Sequence, residues 1–409
     1  MSLKMLDSMV HGHEWENEEV KSKRNKLREA LKAAGIGPDQ LHFIKRLIDP
    51  PKKFPKPEDE KTFLYEIVSN PITGFDVDKF DYFLRDAERT NMGAKFKTNE
   101  MQCIFHSARI KYKPQFGYRL CFPQKLRATL EKIGRTRVNL HENVYKHKTT
   151  MAHELLLVRA FRLAHQSGFR FRGADGNRYT LVEAVESPAG FFNLNDTVLN
   201  LILDRDPELV EPGPKKEALL AAQHIIDTDF RLRRHPKLIV LARSKFPDAF
   251  PVGTHEGKAE AGGPGPYGDN NVVHAIASRL QPQHNLDIRQ LTAIVVEVHA
   301  GMKRNDPLEG CLFYLDAEGD EVLEANEVRQ HSSLESVYGR HLFLYTEHDA
   351  PVSEAGRKEL QDIVAGLGPN STPIRTVSAM APLTPPEDRP ASRMAGGAPA
   401  KKNLHLDSC

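Results

Sequence analysis

Two stretches of this 409-residue chain carry side chains at spacings that could perform chemistry. The first is FDVDKFDYFLRD, residues 75–86. On a helix, Asp78, Lys79, Tyr82 and Asp86 share roughly one face. Two carboxylates, an ammonium group and a phenol can together hold a divalent cation, a phosphate and a sugar hydroxyl. The same spacing also fits a solvated amphipathic helix with i,i+4 pairs, and the spacing leaves both interpretations open.

The second stretch is TRVNLHENVYKHK, residues 136–148. Arg137, His141, Tyr145 and Lys148 recur at i, i+4, i+8 and i+11, so a continuous helix would place four hydrogen-bond donors in one stripe. Arginine offers a bidentate fork for phosphate oxygens and lysine a point charge, while tyrosine offers a flat edge for a base or a sugar. The alternative is a basic face that pairs with acids elsewhere in the fold.

A weaker candidate is the segment His11-Gly12-His13-Glu14 near the start of the sequence. Histidines two residues apart can ligate a metal, and a histidine beside a glutamate can transfer protons. The alternative is a flexible end without a function. Phosphate-binding Gly-rich loops, dinucleotide fingerprints and GxSxG elbows do not occur in the sequence.

Helices and two hairpins are predicted to position these residues over the first 235 residues. Gly117 and Gly176 mark the turns of the hairpins, which are predicted at 108–122 and 169–181. A long helix is predicted from about 125 to 165, broken or bent near Gly134. The other predicted helical segments are 17–48 (two helices with a stop at Gly35-Ile-Gly-Pro), 63–68, 78–89, 195–204 and 215–227.

The character of the sequence changes after residue 235. Short apolar or β-branched runs alternate there with helical segments, which is typical of an α+β lobe. The predicted strands are 238–242, 293–299, 311–315 and 342–345, and the predicted helices are 272–280, 325–330 and 353–365.

The predicted fold is therefore mostly α, followed by a smaller α+β C-terminal lobe and a disordered tail. The predicted domains are 1–235 and 236–380, the second with a mobile Gly/Pro-rich insert at 246–269. Residues 381–409 hold too few apolar side chains to pack and are predicted to be disordered.

Composition narrows the class of protein. The 57 basic and 55 acidic side chains nearly balance, so non-specific nucleic-acid binding is not the global design. Four widely spaced cysteines exclude a disulfide framework and a cysteine-based zinc module, and we expect reduced thiols. No run is long and apolar enough for a membrane span, and no secretory signal is evident. We expect a nuclear or cytoplasmic protein that does not enter the membrane.

The same two motifs carry a family resemblance. FLYEIVSN-PITGFDVDKFDYFLRDAERT (63–90), followed by TRVNLHENVYKHK, closely resembles the eukaryotic SAM- and HD-domain-containing deoxynucleoside triphosphate triphosphohydrolases. Weaker similarity continues through LNDTVLNLILDRDPEL, LTAIVVEVHAGMKRNDPLEG and APLTPPED. The resemblance implies part of an HD-type helical domain. It also implies a metal-dependent hydrolase of the dGTPase type, which converts a deoxynucleoside triphosphate (dNTP) to a deoxynucleoside and tripolyphosphate.

For the phosphate end of such a site, the resemblance implies four roles. Asp78 would be a ligand of a divalent metal (Fe, Mn, Zn or Mg). Lys79 and Arg137 would hold the triphosphate, and His13 would be a catalytic residue that transfers protons near the phosphates.

For the nucleoside end, the resemblance implies a second set of contacts. Tyr82 would pack along the sugar, and Asp86 would accept the hydrogen bond of the 3′-hydroxyl. Tyr145 would leave no room for a 2′-hydroxyl, and His141 would line the same pocket.

Regulatory nucleotide sites are also part of what the family implies. Lys125, Lys148 and Arg231 resemble basic residues of those sites, so GTP or dGTP would be the activator and a homo-oligomer the assembly. Pro123 and Asn305 stand where the family has an arginine and a lysine, which puts nucleotide-driven assembly in doubt.

The metal site is the main departure from the family. Its His and His-Asp ligands precede the His-Glu segment there, and the sequence has nothing upstream of His11 to supply them. One carboxylate cannot hold a catalytic ion against water, so we expect an incomplete metal site and an N-terminally truncated form. The alternatives are an inactive nucleotide-binding partner protein, or a regulatory module that binds single-stranded nucleic acid through 137–148.

Overall fold

The computed structural model describes residues 2–12, 18–50, 61–92, 96–210, 212–246, 249–250, 270–280, 287–328, 338–347, 349–350, 352–367 and 372–373. The predicted tail and nearly all of the Gly/Pro-rich insert lie outside these ranges, as does His13.

The α-helices are α1 (Ser2–His11), α2 (Glu18–Ala33), α3 (Pro38–Ile48), α4 (Val77–Arg89), α5 (Thr98–Ser107), α6 (Arg127–Leu140), α7 (Lys148–Gln166), α8 (Leu181–Glu186), α9 (Pro188–Phe192), α10 (Val198–Leu203), α11 (Pro214–His224), α12 (Asn270–Ala277) and α13 (Glu354–Ala365). Two π-helical turns, His141–Tyr145 and Ile225–Phe230, follow α6 and α11 directly.

The strands are β1 (Arg109–Lys113), β2 (Gly117–Pro123), β3 (Phe171–Arg172), β4 (Arg178–Tyr179), β5 (Lys237–Ser244), β6 (Leu291–Val298), β7 (Leu312–Tyr314), β8 (Leu323–Glu324), β9 (Gly339–Thr346) and β10 (Thr372–Pro373). They form a sheet of order β1-β2-β7-β8, a second of order β10-β5-β9-β6, and the β3–β4 pair.

The second sheet is covered on both faces because the side chains of β9 alternate. Phe343 and Tyr345 pack against Met151 and Leu155 of α7. Leu342 and Leu344 point the other way, into a core shared with α12 and α13. The predicted fold class is therefore confirmed: a mostly helical part is followed by a smaller α+β lobe.

The lobe and the helical part also share a core. Val298 and Phe313, from the lobe, lie in one cluster with Phe80 and Leu130 of α4 and α6. In addition, β7 pairs in parallel with β2, and Leu312 stands opposite Cys121. The division at 235/236 remains a prediction, since contacts cross it in the first sheet.

Both predicted hairpins are confirmed. Lys113 pairs with Gly117 across the first, and Gly117 has φ +71°. Gly176 has φ +83° in the turn between β3 and β4. A positive φ is accessible to glycine at little cost, which explains why both turns could be read from the sequence.

The predicted helix at 125–165 is wrong in the position of its break. Gly134 is buried within α6, and the helix continues through it. The chain leaves the helix only after the π-helical turn, where His147 takes an extended conformation (ψ 144°) and its ring accepts from the Thr149 amide at 3.3 Å. A glycine weakens a helix without breaking it, whereas a π-turn and a new cap do break it.

Two smaller predictions differ from the structure. The predicted helix at 63–68 is helical but is a shorter 3₁₀ helix, Thr62–Glu66, and Glu66 turns inward to an ion pair with Arg119 (2.6 Å, both side chains buried). The predicted helix at 325–330 is a turn over its described residues, where the carboxylate of Glu327 accepts from the amide of Glu324 at 2.6 Å.

Cysteine chemistry matches the expectation of reduced thiols in part. Cys121 and Cys311 are free and buried. Cys103 is disulfide-bonded. None of the helices in the described ranges is long and apolar enough to cross a membrane.

Candidate functional site

The loop before α4 is built around one asparagine. The side-chain oxygen of Asn70 accepts from the amides of Ile72 (2.9 Å) and Thr73 (3.0 Å), and its amide nitrogen donates to the carbonyl of Phe75 at 3.3 Å. These bonds fix the NPITGF segment (70–75) in an Asx-type turn and place Asp76 at the start of the helix.

Asp76 caps α4 and pairs with Lys79. The Asp76 carboxylate accepts from the Lys79 amide at 3.1 Å and from its ammonium group at 2.6 Å, and Asp76 is 2% exposed. Lys79 therefore bends back to the beginning of α4 and does not extend along the helix. The sequence reasoning missed Asp76, although an Asp three residues before the capped amide is an ordinary N-cap signal.

Farther along α4, Asp86 meets the end of the π-helical turn. The hydroxyl of Tyr145 donates to Oδ2 of Asp86 at 2.5 Å. The ring of Tyr82 lies 6.4 Å from that of Tyr145, measured between centroids. Burial and the neighbouring Asp86 carboxylate raise the pKa of Tyr145, so its hydroxyl is a permanent donor at neutral pH. The structure thus brings three of the predicted site residues together.

Arg137, on α6, belongs to the same cluster of side chains, because it interacts electrostatically with Tyr82, Tyr145 and His141. Its Nη1 donates to the backbone carbonyl of His299 and lies 3.4 Å from Nδ1 of that ring. Burial lowers the pKa of the half-buried Arg137, while the phenols of Tyr82 and Tyr145 act in the opposite direction. Within the described ranges, no carboxylate lies within ion-pair distance of Arg137, and its Nε and Nη2 make no hydrogen bond.

His141 lies between the two ends. Its ring meets that of Tyr145 edge-on, with 5.1 Å between centroids. Burial, together with the positive charge of Arg137, lowers the pKa of His141 to about 3, so the ring is neutral. Nδ1 of His141 is buried and has no hydrogen-bond partner among the described residues. An unsatisfied buried polar atom is unfavourable unless a ligand or water completes it, so Nδ1 of His141 is a candidate contact for a bound ligand.

The predicted four-residue stripe is broken before its last member. Lys148 is the first residue of α7 and lies beyond the break, so it does not continue the stripe of Arg137, His141 and Tyr145. A π-helix carries more residues per turn than an α-helix, which shifts every side chain that follows it.

The break is held from the second sheet. Glu142 pairs with Arg243 of β5 at 3.3 Å and lies 3.7 Å from Nε2 of His341 on β9. The hydroxyl of Tyr345, also on β9, donates to the carbonyl of Lys148 at 2.6 Å. These contacts hold the start of the break through Arg243 of β5 and its end through Tyr345 of β9.

Asp78, the predicted metal ligand, lies exposed in the first turn of α4. Among the described residues, no group of three or more His, Cys, Asp or Glu side chains could hold a metal ion. A transition metal needs several such donors, so the described residues do not fit a catalytic ion. His13 falls outside the described residues.

The three predicted regulatory residues stand on separate elements. Lys125 is exposed in a 3₁₀ turn before α6, and Lys148 begins α7. Arg231 follows the second π-helical turn, where it pairs with Asp227 (3.1 Å) and donates to the side chain of Asn200 (3.0 Å).

Comparisons with known proteins find relatives of the kind that the two motifs resemble. The chain is 25% identical to the deoxynucleoside triphosphate triphosphohydrolase SAMHD1 of Gallus gallus over 348 residues, which are 82% of this chain and 52% of that protein. It is 30% identical to SAMHD1 of Xenopus laevis over 46% of this chain and 32% of that protein. An HD domain-containing protein of Acanthamoeba polyphaga mimivirus is 30% identical over 30% of this chain and 24% of that protein.

The resemblance inferred from the two motifs is therefore confirmed. The chain spans about half the length of the chicken relative and less of the others. No family model matches the chain.

Proposed function

We propose that this chain is a dNTP triphosphohydrolase-like protein that binds a dNTP between α4 and α6. Arg137 is the observation that carries the proposal, because a half-buried guanidinium without a described carboxylate partner is suited to an anionic ligand. The similarity to triphosphohydrolases supplies the class of that anion.

The two ends of the pocket suit the two ends of such a nucleotide. Arg137, with Lys79 nearer the start of α4, would bind the triphosphate. Asp86 would accept from the 3′-hydroxyl, Tyr82 would pack along the sugar, and Tyr145 would occupy the space that a 2′-hydroxyl needs. The hydroxyl of Tyr145 already donates to the Asp86 carboxylate, which supports this placement.

Hydrolysis to a deoxynucleoside and tripolyphosphate is a separate part of the proposal. The family chemistry uses a divalent metal, and Asp78 alone does not provide a site for one. The described residues therefore support no catalytic step. A catalytic role for His13 and a metal-binding role for Asp78 are proposed from the resemblance alone. Nucleotide binding without turnover is the second candidate, since the pocket is assembled from residues that need no metal.

Regulation by a second nucleotide is a further part of the proposal. GTP or dGTP would bind near Lys125, Lys148 and Arg231 and promote a homo-oligomer, in a protein of the nucleus or cytoplasm. Single-stranded nucleic acid is less favoured, because the basic stripe at 137–148 is interrupted and Arg137 faces the pocket.

Binding and turnover can be measured on the same purified chain. We expect calorimetric titration with dGTP to show binding, and the Arg137→Ala variant to lose ~100-fold in affinity, the loss expected when a strong charge-assisted contact is removed. Arg135→Ala is the matched control, because Arg135 is on the same helix and pairs with Glu131 at 3.0 Å.

Release of tripolyphosphate is then assayed with Mg²⁺, Mn²⁺, Zn²⁺ and Fe²⁺. Turnover with any of them establishes the hydrolase, and binding without turnover favours the second candidate. If dGTP does not bind, or if both arginine variants bind as the unmodified chain does, the assignment of the pocket is wrong.

A further inference from the structure

The loop that follows β6 forms a wall of the candidate pocket that the motif spacing did not reveal. It runs from His299 to Pro307 and turns back sharply, with Gly301 at φ +147° and Lys303 at φ +56°. A non-glycine residue rarely adopts a positive φ, so this turn persists only where other contacts hold it.

Those contacts come from the ring of His299. Its Nδ1 accepts from the amide of Gly301 at 3.2 Å and from the amide of Lys303 at 3.1 Å. An acceptor at Nδ1 requires an unprotonated nitrogen there, so the ring must be neutral. Burial, together with the charge of Arg137, lowers the pKa of His299 to about 4, in agreement with that form. The imidazole therefore stabilises the turn through these two hydrogen bonds.

The turn is also packed against the Asn70 loop that leads into α4. Within the turn, the sulfur of Met302 would lie 3.5 Å from a Cβ on Gly74; three residues beyond the turn, a Cβ on Gly310 would lie 2.7 Å from Cγ2 of Ile72. Such close approach leaves little room for the two loops to shift independently. The backbone carbonyl of His299 is thereby fixed where Nη1 of Arg137 donates to it.

We propose that His299 is a positioning residue: its ring holds the 299–307 turn so that the His299 carbonyl aims the guanidinium of Arg137 into the pocket. The inference rests on the proposed function for the identity of the ligand, a triphosphate. In this arrangement the His299 carbonyl accepts from Nη1 of Arg137, and Nε and Nη2 are left to bind the anion. His299 does not itself touch the ligand in this scheme.

The first test compares three substitutions of His299 by the affinity for inorganic tripolyphosphate. His299→Ala removes the acceptor, and we expect ~10-fold weaker binding, about the value of one hydrogen bond to a charged group. His299→Asn places an oxygen close to the position of Nδ1 and can accept from the same amides, as in an Asx turn, so near-normal affinity is expected. His299→Gln places its oxygen one bond farther out and should resemble alanine. His106→Ala, at an exposed position of α5, is the control.

The second test asks whether His299 acts through Arg137. In an Arg137→Ala background, His299→Ala should change the affinity less than ~2-fold, because coupled positions are non-additive. A residue that merely stabilised the fold would lower the affinity by the same factor in both backgrounds. That result, or an asparagine variant as weak as the alanine variant, would overturn the proposal.

A third readout does not depend on ligand binding. Phenylglyoxal modifies accessible guanidinium groups, and the rate at Arg137 can be followed by mass spectrometry of peptides. We expect faster modification of Arg137 in His299→Ala than in the unmodified chain or in His299→Asn, with Arg135 unchanged. Equal rates in all three proteins would contradict the positioning role. If the unmodified chain binds neither tripolyphosphate nor dGTP, the proposed function fails while this measurement still decides the role of His299.

Discussion

At one end of the pocket, the hydroxyl of Tyr145 donates to Asp86 at 2.5 Å; at the other, Arg137 contacts the carbonyl and ring nitrogen of a histidine 162 residues away. The first pair satisfies a carboxylate with a neutral donor. The second leaves a cation without a described counter-charge. A ligand must therefore bring negative charge to Arg137, whereas at Asp86 it must share or displace a hydrogen bond that already exists.

This difference separates affinity from selectivity. A desolvated guanidinium gains most from an anion because no existing ion pair has to be broken. A carboxylate already bonded to a phenol gains less, but its geometry is fixed in advance. We therefore expect the phosphate end to set the binding strength and the Tyr145 end to set which sugar is accepted.

The largest expected effect compares the two cations of the phosphate end. Arg137→Gln should weaken tripolyphosphate binding by ~100-fold and Lys79→Gln by only ~10-fold, because Lys79 is already neutralised by Asp76 at 2.6 Å. Calorimetric titration of both variants measures the difference. A Lys79 variant as weak as the Arg137 variant would show that the ammonium group leaves Asp76 when the ligand binds.

An intermediate effect is expected at the sugar end. Tyr145→Ala should reduce the preference for dGTP over GTP by ~10-fold while tripolyphosphate affinity stays within ~2-fold, because in the proposed binding mode the ring excludes a 2′-hydroxyl and does not contact phosphate. Tyr145→Phe keeps the ring and should retain most of the preference. Competition binding of the two nucleotides provides the measurement, and Tyr112→Phe, on the exposed face of β1, provides the control. Loss of tripolyphosphate binding in Tyr145→Ala would contradict the division of the site into a phosphate end and a sugar end.

The smallest effect concerns pH. Because the pKa of His141 is lowered to about 3, its ring gains a proton only far below neutrality and adds no positive charge to the pocket. The ratio of tripolyphosphate affinities between the unmodified chain and His141→Gln should therefore stay constant from about pH 8 to about pH 5.5, a range in which an unshifted histidine would titrate. Taking the ratio removes the titration of the ligand itself. A rise of the ratio as the pH falls through this range would mean that His141 is charged when the anion is bound.

Local rules predicted much of the fold. Glycines at positive φ marked both hairpin turns, and apolar periodicity located α4 and α13 within a residue or two. The break after α6 could not be predicted in this way. Its cause lies in contacts of Glu142 and Lys148 with β5 and β9, about 100 residues or more along the chain, and no local pattern reports them.

The candidate site divides along the same line. Tyr82, Asp86 and Tyr145 follow from helical spacing within two motifs, and the structure places them together. His299 comes from the end of a predicted strand, and only the folded chain shows that its carbonyl reaches Arg137. The direction of the Lys79 side chain depends on its bond to Asp76. Asp76 precedes the predicted helix, so helical spacing does not include it.

On β9, His341 lies beside Glu142 at the start of the helix break, and the Tyr345 hydroxyl donates to the Lys148 carbonyl at its end. His341 and Tyr345 are four residues apart on one face of β9, so a strand rise of about 3.4 Å per residue separates them by about 14 Å. Six residues along a continuous α-helix, from Glu142 to Lys148, would advance only about 9 Å. The two positions on β9 are therefore farther apart than a continuous helix from 142 to 148 would be long. The interruption at residues 146 and 147, which lie between the π-helical turn and α7, lets the chain cover the longer distance.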